Sequence, residues 1–344
     1  HSLMEVPKND YRPRIDDPRI GYFTTKVTDM TSASHTPYRD LINRWNLKKK
    51  NPKESKSEPE KPIVFWVENT TPYEFRNAVT KGVLAWNKSF EKVGFKNAIQ
   101  VKIQPDDAKW DAGDIRYNVL RWTSSPSPPF GGYGPSFVNP KTGQILGADI
   151  MLEYVYFTNR VKYDRLYDPE NTKEGTNHCQ IGEYIHQENL LGLISTEIIS
   201  TSESIKKELV KESIINLVLH EVGHTLGLSH NFKSSHLHNI KESHNAALTK
   251  AMGLTGSVMD YVPVNLSRNP DDQGQYYSTV PWTYDDWAIQ FGYSSSVLNP
   301  KEEQKRIENI LSMSTDPEHM FGNDADDMRY PGKGIDPRAM IGDM

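Results

Sequence analysis

The 344-residue chain has one cysteine, Cys179, so no disulfide can form within it. That excludes a disulfide-stapled scaffold and a cysteine-based zinc finger, but not export. No stretch of about 18 apolar residues occurs, so nothing in the chain reads as a membrane span. Basic residues are not in excess: the net charge is −5, which argues against a nucleic-acid surface. The first residues, "HSLMEVPKND", lack the charged start and apolar core of a signal peptide, leaving open a signal already removed. There are no internal repeats. What is present is a polar globular composition, 36% hydrophobic and 25% charged, long enough for one large domain or two modest ones.

Residues 1–60 read as an extended, Pro- and charge-rich segment ending in a solvated linker, "LKKKNPKESKSEPEKP". "IVFWVE" (63–68) is a β-branched and aromatic run of strand length. "TTPYE" then predicts a helix start, with Thr71 as N-cap, Pro72 at the first helical position and Glu74 completing a capping box. Apolar residues from Phe75 to Val93 recur at three- or four-residue steps, predicting one long amphipathic helix closed by Gly94. Further strands are expected at 99–104, 114–122, the short "SFVN" and 145–154. This order suggests an α+β fold: a twisted mixed sheet with an antiparallel edge strand and long helices packed on it. Helices are expected across 181–228, the last over about Lys206–Leu226, and again at 281–293 and 299–313. The tail after residue 320 has no periodicity.

The chemistry concentrates in "HEVGHTLGLSH", residues 220–230. His220 and His224 lie one turn apart on a predicted helix and can reach one ion. Glu221 sits beside such an ion without ligating it. Gly227 ends the helix, and His230 can then return as the third ligand. A bare H-E-x-x-H arises by chance in roughly one chain in a hundred of this length, and the added glycine and histidine lower that by about several hundredfold. Three neutral imidazoles suit zinc and leave a position open for water. Zinc brings the pKa of such a water to about 7, where Glu221 can take a proton and pass it to a departing amine. Downstream, "SVMDY" sets Met259 in a turn that can floor the ligands. Tyr261 packs beneath the cleft, ligates the metal at rest or donates a hydrogen bond to an oxyanion.

These motifs resemble the metzincin clan of zinc metallopeptidases. Ser257, Met259 and Tyr261 are similar to the methionine turn of astacins and serralysins, in which the tyrosine approaches the zinc. "HEVGHTLGLSHNFKSS", "SVMDY" and "YDDWAIQFGY" together look like the bacterial Met-zincin family, with weaker likeness in "DDPRIGYF" and "GIDPRA". The resemblance implies a catalytic domain over 61–295. An upper subdomain (61–227) would carry the active-site helix at the cleft floor, and an irregular lower one (228–295) the methionine turn. Residues 296–344 are then a C-terminal helix and a tail cut from a longer protein. It further implies an exported bacterial enzyme. Its peptide substrate would pair with an edge strand near Tyr133–Asn139, at Tyr133, Gly134, Ser136, Phe137 and Val138.

The expectation is therefore a monomeric zinc endopeptidase with His220, His224 and His230 as ligands and Glu221 as base. The alternatives are a zinc-retaining binding protein without turnover and a zinc hydrolase of a non-peptide amide. No inhibitory propeptide ligand is legible. Cys179 is poorly placed for that role and reads better as a packing residue, while residues 1–60 either wrap the domain or cross the cleft. His236, His238 and His244 read as exposed loop histidines rather than a second metal site. "GNDADD" (322–327) reads as a solvated acidic turn, so calcium stays possible but unsupported.

Overall fold

The computed structural model describes residues 4–35, 37–124, 132–153, 181–199 and 203–323. Cys179 and residues 324–327 of the acidic turn lie outside these. Strands β1 (Thr24–Thr25), β2 (Leu41–Ile42) and β3 (Arg44–Trp45) come from the N-terminal segment. Strand β4 (Ile63–Val67) follows, then helices α1 (Tyr73–Ala85) and α2 (Asn87–Lys92), and strands β5 (Ile99–Ile103) and β6 (Asn118–Thr123). Strands β7 (Gly132–Tyr133), β8 (Ser136–Val138), β9 (Gln144–Ala148) and β10 (Ile150–Glu153) complete the sheets. Two long helices come next, α3 (Ile181–Ile199) and α4 (Glu203–Thr225). Short α5 (Ile240–Ser243) and α6 (Ala246–Met252), then α7 (Thr283–Tyr293) and α8 (Pro300–Leu311), follow.

The main sheet runs β5-β4-β6-β10-β7, parallel throughout except for the antiparallel edge strand β7. Its mixed pairing and the long helices make the fold α+β, as the pattern predicted. Period-two alternation is plain in β4, where Ile63, Phe65 and Val67 point into the core and Val64 and Trp66 point away. Helices α1 and α3 pack on α4, whose residues 212–225 are all buried. A helical stretch buried on every side lies in the middle of a fold, and the second half of α4 does so although several of its buried residues are polar.

Several local expectations are corrected. Helix α1 starts at Tyr73 with Pro72 before it and no side-chain cap. The Arg76 guanidinium instead binds the Thr71 and Asn69 carbonyls, so the Thr71–Glu74 capping box does not form. The predicted single helix is two, joined at Trp86, whose indole donates to the Leu219 carbonyl of α4 at 2.9 Å. The strand expected from 114 begins at 118, because Asp114 captures the Arg116 N–H in a turn. The strand expected over 145–154 is β9 and β10, in different sheets. Between them the Asp149 carboxylate accepts the Val119 N–H, and its own N–H donates to the Pro135 carbonyl.

The linker stretch is mostly exposed, as expected of a solvated segment, but it is not a free tether. Ser57 is buried, and residues 48–60 fold back on themselves through Lys50 N–H to Glu58 O and Glu60 N–H to Lys48 O. Of the two courses open to residues 1–60, wrapping is the one seen around the active-site turn. Ile20, Tyr22 and Ile42 join the same hydrophobic core as α4 and α7. Tyr22 bridges Leu228 in antiparallel fashion, and its hydroxyl donates to the Ala288 carbonyl at 2.7 Å.

Candidate metal centre

The signature residues occupy the end of α4. His220 and His224 are buried and face the same way, with ring centroids 4.6 Å apart. The helix stops because Gly227 takes φ +98°, and the Leu228 N–H reaches back to the Gly223 carbonyl at 3.0 Å. No other residue would fit at 227, where a Cβ would stand 1.9 Å from the Asn43 carbonyl oxygen. The carbonyls of Thr225 and Leu226 are capped by the Trp45 indole and the Tyr293 hydroxyl. The turn brings His230 to 5.2 Å from His220 and 4.8 Å from His224, ring to ring. Candidate ligand atoms of the three lie within 4.8 Å of one another.

The ring tautomers suit a metal. His220 Nδ1 lies 2.9 Å from the Val258 carbonyl and His224 Nδ1 2.9 Å from that of Leu228. A carbonyl only accepts, so each Nδ1 carries the hydrogen and each Nε2 keeps its lone pair. Burial, reinforced by His224 and His230, pushes the His220 pKa well below its usual value, which keeps the ring neutral. Three imidazoles, two of them with a preset tautomer, are a donor set that zinc fits. Glu221 is fully buried on the same helix and is not among the grouped ligands. The Tyr261 hydroxyl stands 3.1 Å from His230 Nε2, at the edge of the site.

Residues 202–344 match a family model described as Met-zincin. That stretch, which holds the three-histidine cluster, is similar to the Met-zincin family. A second family model, described as a domain of unknown function, matches residues 1–50. No curated protein and no solved structure shows a match. The Met-zincin domain and its three-histidine cluster together point to a zinc metallopeptidase.

The methionine turn lies beneath the helix. Met259 is fully buried, and a Cβ on Gly223 would stand 2.2 Å from its sulfur and 3.0 Å from Trp86 Cζ2. Glycine between the two ligands is thus what lets the methionine approach. The turn is held by Asp285 of α7, which accepts from Ser257 Oγ at 2.6 Å, Val258 N–H at 3.0 Å and Trp282 N–H at 3.1 Å. Ser257 Oγ in turn accepts the Met259 N–H, and the Met259 carbonyl takes the Asn231 N–H. Asp260 accepts from Ser234 Oγ and the Tyr261 N–H. Burial pushes both carboxyl groups up to about 7, against the pull of these donors. Asp285 had been legible only as part of the motif "YDDWAIQFGY".

The strand residues divide. Tyr133 lies on β7, the edge of the main sheet, with Gly134 after it, whereas Ser136, Phe137 and Val138 form β8 and pair with β9 in a separate sheet. A Cβ on Gly132 would stand 2.5 Å from Glu221 Oε1, and one on Gly134 2.7 Å from the Glu221 carbonyl oxygen. These glycines let β7 lie directly on the glutamate, a role for which Gly132 had no legible signal beyond "FGGYG". Tyr184 of α3 stacks on Tyr261, and Phe232 lies edge-on to it. His238 has Glu242 at 3.8 Å, and among the described residues no third ligand joins them to share an ion.

Proposed function

We propose that the chain is a zinc-dependent endopeptidase acting on extended polypeptides. The observation that carries this reading is the pair of carbonyl-anchored imidazoles flanking a buried glutamate, His220-Glu221-x-x-His224, with His230 closing the triangle. A zinc ion held by the three histidines supplies a Lewis acid that polarises a carbonyl and acidifies water. The Glu221 carboxylate would take a proton from the attacking water and return it to the departing amine. The buried position of Glu221 under β7 keeps bulk water from competing for its oxygens. The Tyr261 hydroxyl, 3.1 Å from His230 Nε2, would donate to the developing oxyanion. Strand β7 offers the sheet edge on which an extended peptide adds, which favours a polypeptide over a compact amide.

Glu221→Gln tests the reading. The variant should keep one zinc per chain and lose cleavage of a casein-like substrate by roughly 10²–10⁴-fold. A variant that cuts at the wild-type rate refutes the assigned base. A zinc-loaded wild type inert towards casein and a proteome-derived peptide library refutes the peptidase.

A further inference from the structure

The site is not built by the matched stretch 202–344 alone, because its rim includes a side chain from the N-terminal segment. The Phe23 ring lies 5.3 Å from the ring of His224 and is 45% exposed. A single exposed phenylalanine on a surface is ordinary. This one differs in how it is held. Its N–H donates to the Gly227 carbonyl at 2.7 Å, and its carbonyl accepts the Asn43 N–H at 2.8 Å. The flanking residues are fixed as well: the Gly21 N–H donates to the Tyr284 hydroxyl, and Tyr22 is buried against α7. The backbone is therefore pinned on one side to the turn that positions His230 and on the other to Asn43, while the partly exposed ring lies beside a ligand histidine. An apolar surface fixed in this way costs little ordering when something binds on it.

We propose that Phe23 is a specificity-determining residue: it forms one wall of a substrate subsite beside His224 that selects a large apolar or aromatic side chain of the peptide. This rests on the peptidase reading above. It also assigns a role to the segment matched as a domain of unknown function, which would complete the substrate cleft of the Met-zincin domain.

The experiment compares Phe23→Ala and Phe23→Tyr with the wild type, all zinc-loaded, by cleavage-site mapping on a proteome-derived peptide library. Phe23→Ala should keep its zinc and its melting profile. It should lose about tenfold in kcat/KM for peptides carrying a large apolar residue at one position, and much less for peptides with a small residue there. Phe23→Tyr should restore the preference. A readout without turnover uses the Glu221→Gln background, in which adding Phe23→Ala should weaken equilibrium binding of the same preferred uncut peptide by a similar factor. An unchanged cleavage profile in Phe23→Ala, or unchanged peptide binding in the Glu221→Gln background, overturns the subsite. A wild type that cuts nothing overturns the peptidase reading itself, a different result from a peptidase whose preference ignores Phe23.

Discussion

Gly223→Ala is the substitution whose cost the structure sets most directly. A methyl group there would stand 2.2 Å from Met259 Sδ and 3.2 Å from its Cε, and 3.0 Å from Trp86 Cζ2. Neither neighbour has room to retreat. Met259 and Trp86 are both fully buried, Trp86 is tied to the Leu219 carbonyl, and the Met259 backbone is tied to Ser257 and Asn231. Overpacking of this kind costs about 1–3 kcal/mol. Helix propensity opposes it, since alanine is favoured over glycine in a helix interior by about 1 kcal/mol. The clash outweighs this over most of that range, leaving a net loss of up to about 2 kcal/mol in the metal-free protein. The shift would fall between His220 and His224, so zinc affinity should drop about 10–100-fold, as for other changes behind a ligand. Urea denaturation of the metal-free protein and chelator competition for zinc read the two effects separately. In a double-mutant cycle the cost of Gly223→Ala should shrink in a Met259→Ala background, where the methyl finds space. If Gly223→Ala is as stable as the wild type and binds zinc equally well, the packing argument is wrong.

Two further outcomes are expected. Asp285 and Asp260 each titrate near 7 in the fold, so between about pH 4 and 7 the folded chain holds protons that the unfolded chain releases, and stability falls as pH rises through that window. Each group contributes a slope of up to about 1.4 kcal/mol per pH unit. Urea denaturation of the metal-free protein from pH 4.5 to 7.5 should therefore show a shallower decline for Asp285→Asn, and parallel curves would refute the assignment. Removing residues 1–50 exposes the partners of Ile20, Tyr22 and Ile42. At about 1.5–3 kcal/mol each, their loss amounts to roughly 5–9 kcal/mol, the size of a whole domain's stability of about 5–15 kcal/mol. The remaining fragment should lack a cooperative urea transition and near-UV circular dichroism, and a fragment that folds and binds zinc would refute the wrapping role.

The ligand triangle was legible in the sequence because it is local. A four-residue step on a helix, followed by a glycine that turns the chain, places three side chains through backbone geometry alone, and His220, His224 and His230 meet as that geometry requires. The helices and most strands were legible for the same reason, since apolar periodicity of 3.6 or 2 reports which face is buried. The departures were places where a distant group takes over a local choice. Trp86 breaks the predicted long helix by reaching Leu219, and Asp149 breaks the predicted long strand by holding Val119. The support of the site was hidden altogether. Nothing near Met259 announces that Asp285, 26 residues on, holds its turn, and nothing in "DDPRIGYF" announces that Phe23 stands beside His224. By itself the sequence determined which atoms can bind the metal and which base stands next to them. Only the tertiary structure decided what floors, roofs and walls them, because those contacts join segments whose separation along the chain carries no periodic signal.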